Sequence, residues 1–294
     1  MVHQSNVCTL AGNQTNILRW NPIRSGLALT GTTPEVQNGA WVDKNASLAP
    51  SCTIGQGARL FGQVTVSEKV RIEPNAVVYG PTKIGSGSFI GATAVLGFPS
   101  RSELTESMSQ GRNIHEVSGR RQLLIGRNSV IRSGTCIYSD VSIGEGVSFG
   151  HNVMVRENVR IGNNTLVGTG VVIDGSCRIG ERVSIQTGGY ICTNCIIEDS
   201  VFLGPHAVFT NDKYVGQKRT KLVGPTVRRG ASIGANSLLM PSIEIGEGSV
   251  IGAQSLVTHD VPPLSIYVGI PAKKLKSVPA DWRTYLLQRR IRRR

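Results

Sequence analysis

The sequence predicts an all-β solenoid, a parallel β-helix, and three observations carry that prediction. Between positions 125 and 209 every sixth residue is Ile, Val, Leu or Phe, fifteen times in succession, from Ile125, Ile131 and Ile137 through Ile185, Ile191 and Ile197 to Leu203 and Phe209. Neither the alternation of an ordinary strand nor a helical stripe gives that spacing. Short strands that each place one branched side chain into a central stack do. The residue after the apolar one is repeatedly Gly, as at Gly126, Gly144, Gly162, Gly180 and Gly204, so the repeat carries its own corner chemistry. The same register holds upstream, at Val36, Val42, Leu48, Ile54, Leu60, Val66, Ile72, Val78, Ile84, Ile90 and Leu96. It holds downstream at Val227, Ile233, Leu239, Ile245, Ile251 and Val257, which argues for one extended domain.

Taken in order, residues 1–35 lack the period and hold Asn21-Pro22 and Gly31-Thr32-Thr33-Pro34, the composition of an irregular cap over the first coil. The β-helix is expected over 36–258, interrupted twice. Ile125 lies twenty-nine residues after Leu96, which is not a multiple of six, so 98–124 forms a polar excursion loop. A second excursion, 210–226, follows Phe209 and carries Thr210-Asn211-Asp212-Lys213-Tyr214. The coils are expected to end near Val257. An extension, 259–294, then holds Val261-Pro262-Pro263, Val268-Gly269-Ile270-Pro271-Ala272 and a short basic helix starting near Asp281, with Trp282, Leu286 and Leu287 on its apolar face.

Composition narrows the function. The aliphatic content with only 5% aromatics suits a narrow layered core, and 35 glycines suit a chain that turns a corner every few residues. A formal charge of +13 favours phosphorylated or otherwise anionic partners. The basic run 288–294 has no interleaved aromatics or nucleic-acid motif beside it, so nucleic acid is not the expected partner and a solvated end is. Six cysteines in 294 residues do not make a disulfide scaffold; Cys52, Cys177 and Cys195 fall where the repeat takes small residues. Cys192 and Cys195 resemble half of a zinc site, but no second pair follows. No apolar run approaches a membrane span and no secretory leader opens the chain, so a cytoplasmic location is expected.

Three stretches carry a resemblance: Leu203-Gly204-Pro205-His206-Ala207-Val208-Phe209-Thr210-Asn211-Asp212, the coil 230–236, and the ending Val268-Gly269-Ile270-Pro271-Ala272. Through them the sequence from about 36 to 276 resembles the hexapeptide-repeat acyltransferases, and most of all the branch that acetylates amino sugars, nucleotide-linked or free. The resemblance implies a left-handed parallel β-helix of eighteen residues per triangular coil. It also implies a homotrimer with clefts between adjacent prisms, and acetyl-CoA as co-substrate with no metal. At a strand spacing of roughly 4.8 Å, about ten coils make a prism on the order of 50 Å long.

The resemblance also implies the site. On the donor side the matching positions are Ala235 and Ala253, small enough for a pantetheine arm to lie along the backbone, with Thr258, Lys273, Lys274 and Lys276. Ordinary coil packing and solvated lysines are the alternatives. On the acceptor side the second excursion corresponds to a loop that carries a catalytic His in related O-acetyltransferases, and here it holds none. That departure favours an amine acceptor, which attacks unassisted once neutral, over a hydroxyl, which needs a base. His206, Asn211 and Asp212 are the catalytic candidates, with His206 expected beside the loop. Gln186, Lys213, Tyr214 and His115 are the acceptor-binding candidates. Gly occupies 188 and 189, where the amino-sugar branch has an Asn after its Gln.

Two rivals stand beside this reading. A γ-type carbonic anhydrase uses the same prism with three zinc-binding histidines; His115 and His151 approach the first spacing, but the third position is Arg156. A non-enzymatic solenoid scaffold is the other.

Overall fold

A computed structural model describes residues 33–116 and 121–282. Of the expected N-terminal cap, 1–35, only 33–35 are described, and Glu35 already belongs to the first strand, Glu35–Val36; of the expected C-terminal helix only 280–282 are described, and they are helical. The rest is a three-sided parallel β-helix. Its strands, mostly two or three residues long, are distributed over sheets of thirteen, eleven and ten strands, here sheets I, II and III. The chain visits I, II and III in turn, so each strand pairs with the strand one coil away. Ile131 pairs with Phe149, Phe149 with Val167, Val167 with Ile185 and Ile185 with Leu203, each eighteen residues on. Every one of these side chains is fully buried, as are Ile137, Val155, Ile173, Ile191 and Phe209 on sheet II. The six-residue rhythm is therefore the triangle read along the chain. One residue per side fills the axis, and the flanking residues turn the corner.

Corners need one residue of positive φ, supplied by Gly57, Gly134 and Gly188 or by Asn75, Asn152 and Asn236, the residue types that tolerate it best. Their neighbouring glycines answer a different need. A Cβ on Gly204 would stand 2.6 Å from the Ala235 nitrogen, inside the backbone of the next coil.

Three expectations change. The first excursion is not a polar loop throughout. It contains an α-helix, Arg101–Ser109, opened by a capping box in which Ser100 and Glu103 satisfy each other's backbone, and a 3-10 turn, Ile114–Glu116. The strand after it begins at Leu123 rather than Ile125. The coils also do not stop near Val257. Val261 bridges Ile245, Ser265–Val268 joins sheet I as a further parallel strand, and Lys273–Ser277 folds back antiparallel on it. The Pro262-Pro263 step lacks donors but still turns a corner, because Ser249 Oγ donates to the Pro262 carbonyl at 2.7 Å. Both excursions leave the same edge, between sheets II and III, after Phe98 and after Phe209.

Candidate functional site along two prism edges

The edge between sheets I and II carries the first group. Its corners are stacked one coil apart: Gln186-Thr187-Gly188-Gly189, Gly204-Pro205-His206-Ala207, Gly234-Ala235-Asn236-Ser237 and Gly252-Ala253-Gln254-Ser255. Gln186, His206, Ala235 and Ala253 thus form a ladder climbing roughly 4.8 Å per coil. His206 holds a corner position at φ 56°, and its imidazole folds down over Gly188, where any side chain would collide with the ring. The glycine that stands in place of an expected Asn is thereby explained: it is the seat of His206. The imidazole is exposed and makes no hydrogen bond among the described residues, and its Nδ1–Cε1 edge is the part that lies over Gly188. Gln186 Nε2 donates to Ser184 Oγ at 2.8 Å, which fixes the amide along the same edge.

Above this ladder the terminal hairpin closes the end of sheet I. The Gly269 nitrogen donates to Ser255 Oγ at 3.1 Å and the Ala272 nitrogen to the Leu256 carbonyl at 2.8 Å, so 269–272 sits directly over Ala253's coil. Lys273, Lys274 and Lys276 follow on the antiparallel strand, all exposed and without an ion pair among the described residues. Ala235, Ala253 and the lysines are therefore brought to one end of one edge. Thr258 is not; it lies past sheet II, where its hydroxyl meets His259 Nδ1 at 2.9 Å.

The edge between sheets II and III carries the second group. His206 and the loop it was expected to adjoin stand at opposite ends of the strand Val208–Phe209, on different edges of the same prism. That corrects the expectation of a single cluster within one chain. The reason is geometric: six residues along a β-helix amount to one whole side of the triangle. Asp212 is occupied within the loop, accepting from the backbone of Tyr214 at 2.8 Å and of Gly216 at 2.7 Å. Tyr214 is exposed, with Lys218 Nζ 5.4 Å from its ring. Asn211 Nδ2 donates to the Thr193 carbonyl at 3.5 Å. His115 lies on the first excursion, about five coils or roughly 24 Å below that loop along the same edge.

Sequence reasoning missed a network between the two excursions. Tyr138, Arg156 and Asp174 occupy successive coils at eighteen-residue intervals, the signal that could have found them. The Arg156 guanidinium lies 5.9 Å from the Tyr138 ring, donates to Glu157 at 2.9 Å and approaches Asp174 at 3.8 Å. Tyr190 donates its hydroxyl to Asp174 at 2.6 Å, and this bond, with partial burial, pushes Tyr190 up to about 12.

A groove of ≈ 520 Å³ opens on sheet III, lined by Arg160, Arg178, Arg229, Glu198, Asp199 and Glu247 among others. It lies away from both groups. Among its lining residues Arg229 approaches Asp199 at 3.9 Å, Arg178 donates to the Asn158 carbonyl at 3.0 Å, and Glu198 is bridged by the adjacent Arg228 at 2.7 Å. The edge between sheets I and II, where His206, the Ala235–Ala253 track and the exposed lysines lie together, is the better candidate. Among the described residues no group of three His, Cys, Asp or Glu side chains converges as a metal site. His151 lies three coils below His206 on its edge, whereas Arg156 lies on the other.

The prism and its repeats define the class. The family model described as bacterial transferase hexapeptide (six repeats) matches residues 63–97, and the hexapeptide repeat of succinyl-transferase matches 140–175 and 229–259. These matches cover about a third of the chain, which carries the hexapeptide repeats of the acyltransferase family wound as a parallel β-helix. Among relatives, a chloramphenicol acetyltransferase of Klebsiella aerogenes is 51% identical over 55 residues, covering 19% of this chain and 26% of that protein. A serine acetyltransferase of Buchnera aphidicola is 35% identical over 92 residues, covering 31% of this chain and 34% of that protein. The matched segments thus span about a third or less of these relatives. The solved structure of an Arabidopsis UDP-N-acetylglucosamine acyltransferase aligns over 86% of this chain and 76% of its own at a TM-score of 0.50 and 17% identity, a likeness of fold.

Proposed function

We propose that the protein is an acetyl-CoA-dependent acetyltransferase acting on the amino group of a sugar, nucleotide-linked or free, and that it works in the cytoplasm as a homotrimer. The observation that carries this reading is the edge ladder: an unpartnered imidazole at His206, a smooth backbone track past Ala235 and Ala253, and free ammonium groups at Lys273, Lys274 and Lys276 at its end. The track suits an extended pantetheine arm and the lysines suit its phosphates. At the other end His206 stands where an attacking amine would arrive.

Acetyl transfer to an amine requires a neutral nucleophile, a stabilised oxyanion and a departing thiolate that ends protonated. His206 would accept the proton of the sugar ammonium, the free amine would attack the thioester carbonyl, and the tetrahedral intermediate would collapse to amide and CoA thiolate. Gln186, one coil below, would hold the acceptor. The trimer rests on the outward residues of sheets I and II. Phe89, Val130, Leu166, Phe202 and Val250 stand on one, and Val172, Tyr190, Val208, Leu238 and Leu256 on the other, against Lys83, Arg160, Arg178 and Glu244 on sheet III. Packing sheet II of one copy toward sheet I of the next would carry the loop 210–225, with Asn211, Asp212, Lys213 and Tyr214, toward a neighbour's ladder.

The test is CoA release across a panel of amino sugars and nucleotide-linked amino sugars. Turnover with an amine-bearing sugar and none with its hydroxyl analogue is expected. No acetyl-CoA binding in a thermal-shift scan would favour the scaffold reading, and stoichiometric zinc in the purified protein would favour the carbonic anhydrase reading.

A further inference from the structure

Three buried thiols at the root of the second excursion take no part in the proposed transfer. Cys177 and Cys195 occupy the small-residue position of successive corners, as the repeat requires. Cys192 does not. It stands in the column of Asp174 and Thr210, where the two adjacent coils place polar residues, yet it is 2% exposed. Its sulfur lies 3.5 Å from that of Cys195, and the Cys177 thiol donates to the Cys192 carbonyl at 3.1 Å.

The corner 192–195 is a four-residue turn with Asn194 at φ 64° in its third position. Such a turn holds its first and last Cα atoms within about 7 Å, inside the range a disulfide spans. The same corner anchors the loop. Thr193 accepts from Asn211 at 3.5 Å, Asn194 Nδ2 donates to the Leu222 carbonyl at 2.9 Å, and the Gly224 backbone packs against Cys195 Sγ with no room for a side chain. Cys195 is thus covered by the segment that its corner holds down, and Cys192 is buried beside it.

We propose that Cys192 and Cys195 form a reversible redox site, closing to an intramolecular disulfide that loosens the loop 210–225. The oxidant is a disulfide of the glutathione class. One cysteine thiolate attacks it to give a mixed disulfide and one reduced thiol. The second cysteine then displaces the other thiol, so two electrons and two protons leave the pair and the oxidant is reduced to two thiols. Access comes when the loop root lifts. Drawing the sulfurs from 3.5 Å to a bond of about 2.05 Å pulls Cys195 Sγ from beneath Gly224 and tightens the corner, so the loop reseats poorly.

The sequence makes the test direct, because trypsin releases Cys192 and Cys195 together in peptide 183–213 and Cys177 separately in peptide 161–178. The full chain is treated with oxidised glutathione, blocked with N-ethylmaleimide, digested and mapped without reduction. The proposal expects peptide 183–213 two hydrogens lighter and unlabelled, restored by dithiothreitol. In the native oxidised protein, limited trypsin should cut at Lys213, Lys218, Arg219 or Lys221 about tenfold faster than in the reduced protein. Cys192→Ala and Cys192→Ser, either of which suffices if the other folds poorly, should remove the oxidant's effect on cleavage. Two free thiols in peptide 183–213, a cross-link to peptide 161–178, or an unchanged cleavage rate after oxidation would each overturn the proposal. None of these readouts depends on acetyl transfer, so failure of the proposed function leaves the test intact.

Discussion

Replacing Gly234 by alanine is expected to destabilise the prism, while the same change at Gly188 is expected to spare stability and lower turnover. A Cβ on Gly234 would stand 2.6 Å from the Ala253 Cα, about 1 Å inside ordinary carbon contact, and the atoms it meets are backbone. They cannot rotate away, so the coils must part, stretching the bond from the Gly234 nitrogen to the Ile251 carbonyl from its 2.8 Å. Overpacking of this kind costs about 2–3 kcal/mol, and the entropy alanine removes from the unfolded chain returns less than about 1 kcal/mol. A net loss of about 2 kcal/mol lowers Tm by about 4–8 °C. At Gly188 the colliding group is the His206 ring, which can swing outward. The alanine pays about 1 kcal/mol for φ 70°, and the unfolded-state gain offsets much of it. Loss of the seated imidazole should lower kcat/KM about tenfold or more, equivalent to about 1.4 kcal/mol of transition-state stabilisation. Scanning calorimetry and CoA release measure the two effects, and Gly188→Ala combined with His206→Ala should add nothing to His206→Ala alone. An unchanged Tm for Gly234→Ala would refute the close stacking argument. Full turnover in Gly188→Ala would refute the role given to the seat of His206.

Three further outcomes are expected. Replacing Lys273, Lys274 and Lys276 together by alanine should raise the KM for acetyl-CoA about tenfold at low salt, with a smaller effect at about 0.5 M salt, where exposed charges are screened. His206→Ala should lower kcat by about a hundredfold, the usual scale for a lost acid–base group, with Tm unchanged; equal turnover would remove it from the site. Tyr190 should titrate near 12 by ultraviolet difference spectroscopy, and Asp174→Asn should return it toward the ordinary tyrosine range. Because the folded value is raised, this hydroxyl's contribution to stability is complete below about pH 10 and is lost as pH rises through about 12. Titration unaffected by Asp174→Asn would mean that the 2.6 Å bond does not hold the proton.

The candidate site was only partly legible in the chain. Ala235 and Ala253 are eighteen apart, so their stacking follows from the repeat, and the lysines follow from the ending after Pro262-Pro263. Tyr138, Arg156 and Asp174 obey the same interval but were passed over because no catalytic motif marks them. Ser100 and Glu103 form a helix-start signature, masked by the polar character of the segment around them. His206 and Asp212 are six residues apart in sequence but flank the strand Val208–Phe209, so closeness in the chain does not make them neighbours in space.

By itself the sequence determined the winding. A branched residue at every sixth place can be buried only if each side of the coil contributes one of them, and Gly or Asn at the corners admits the backbone conformation that joins the sides. Only the tertiary structure decided which residues meet. Six positions carry the chain along a whole side of the triangle and eighteen bring it back on top of itself, so His206 rests on Gly188 and Cys192 touches Cys195, while Asp212 faces another edge.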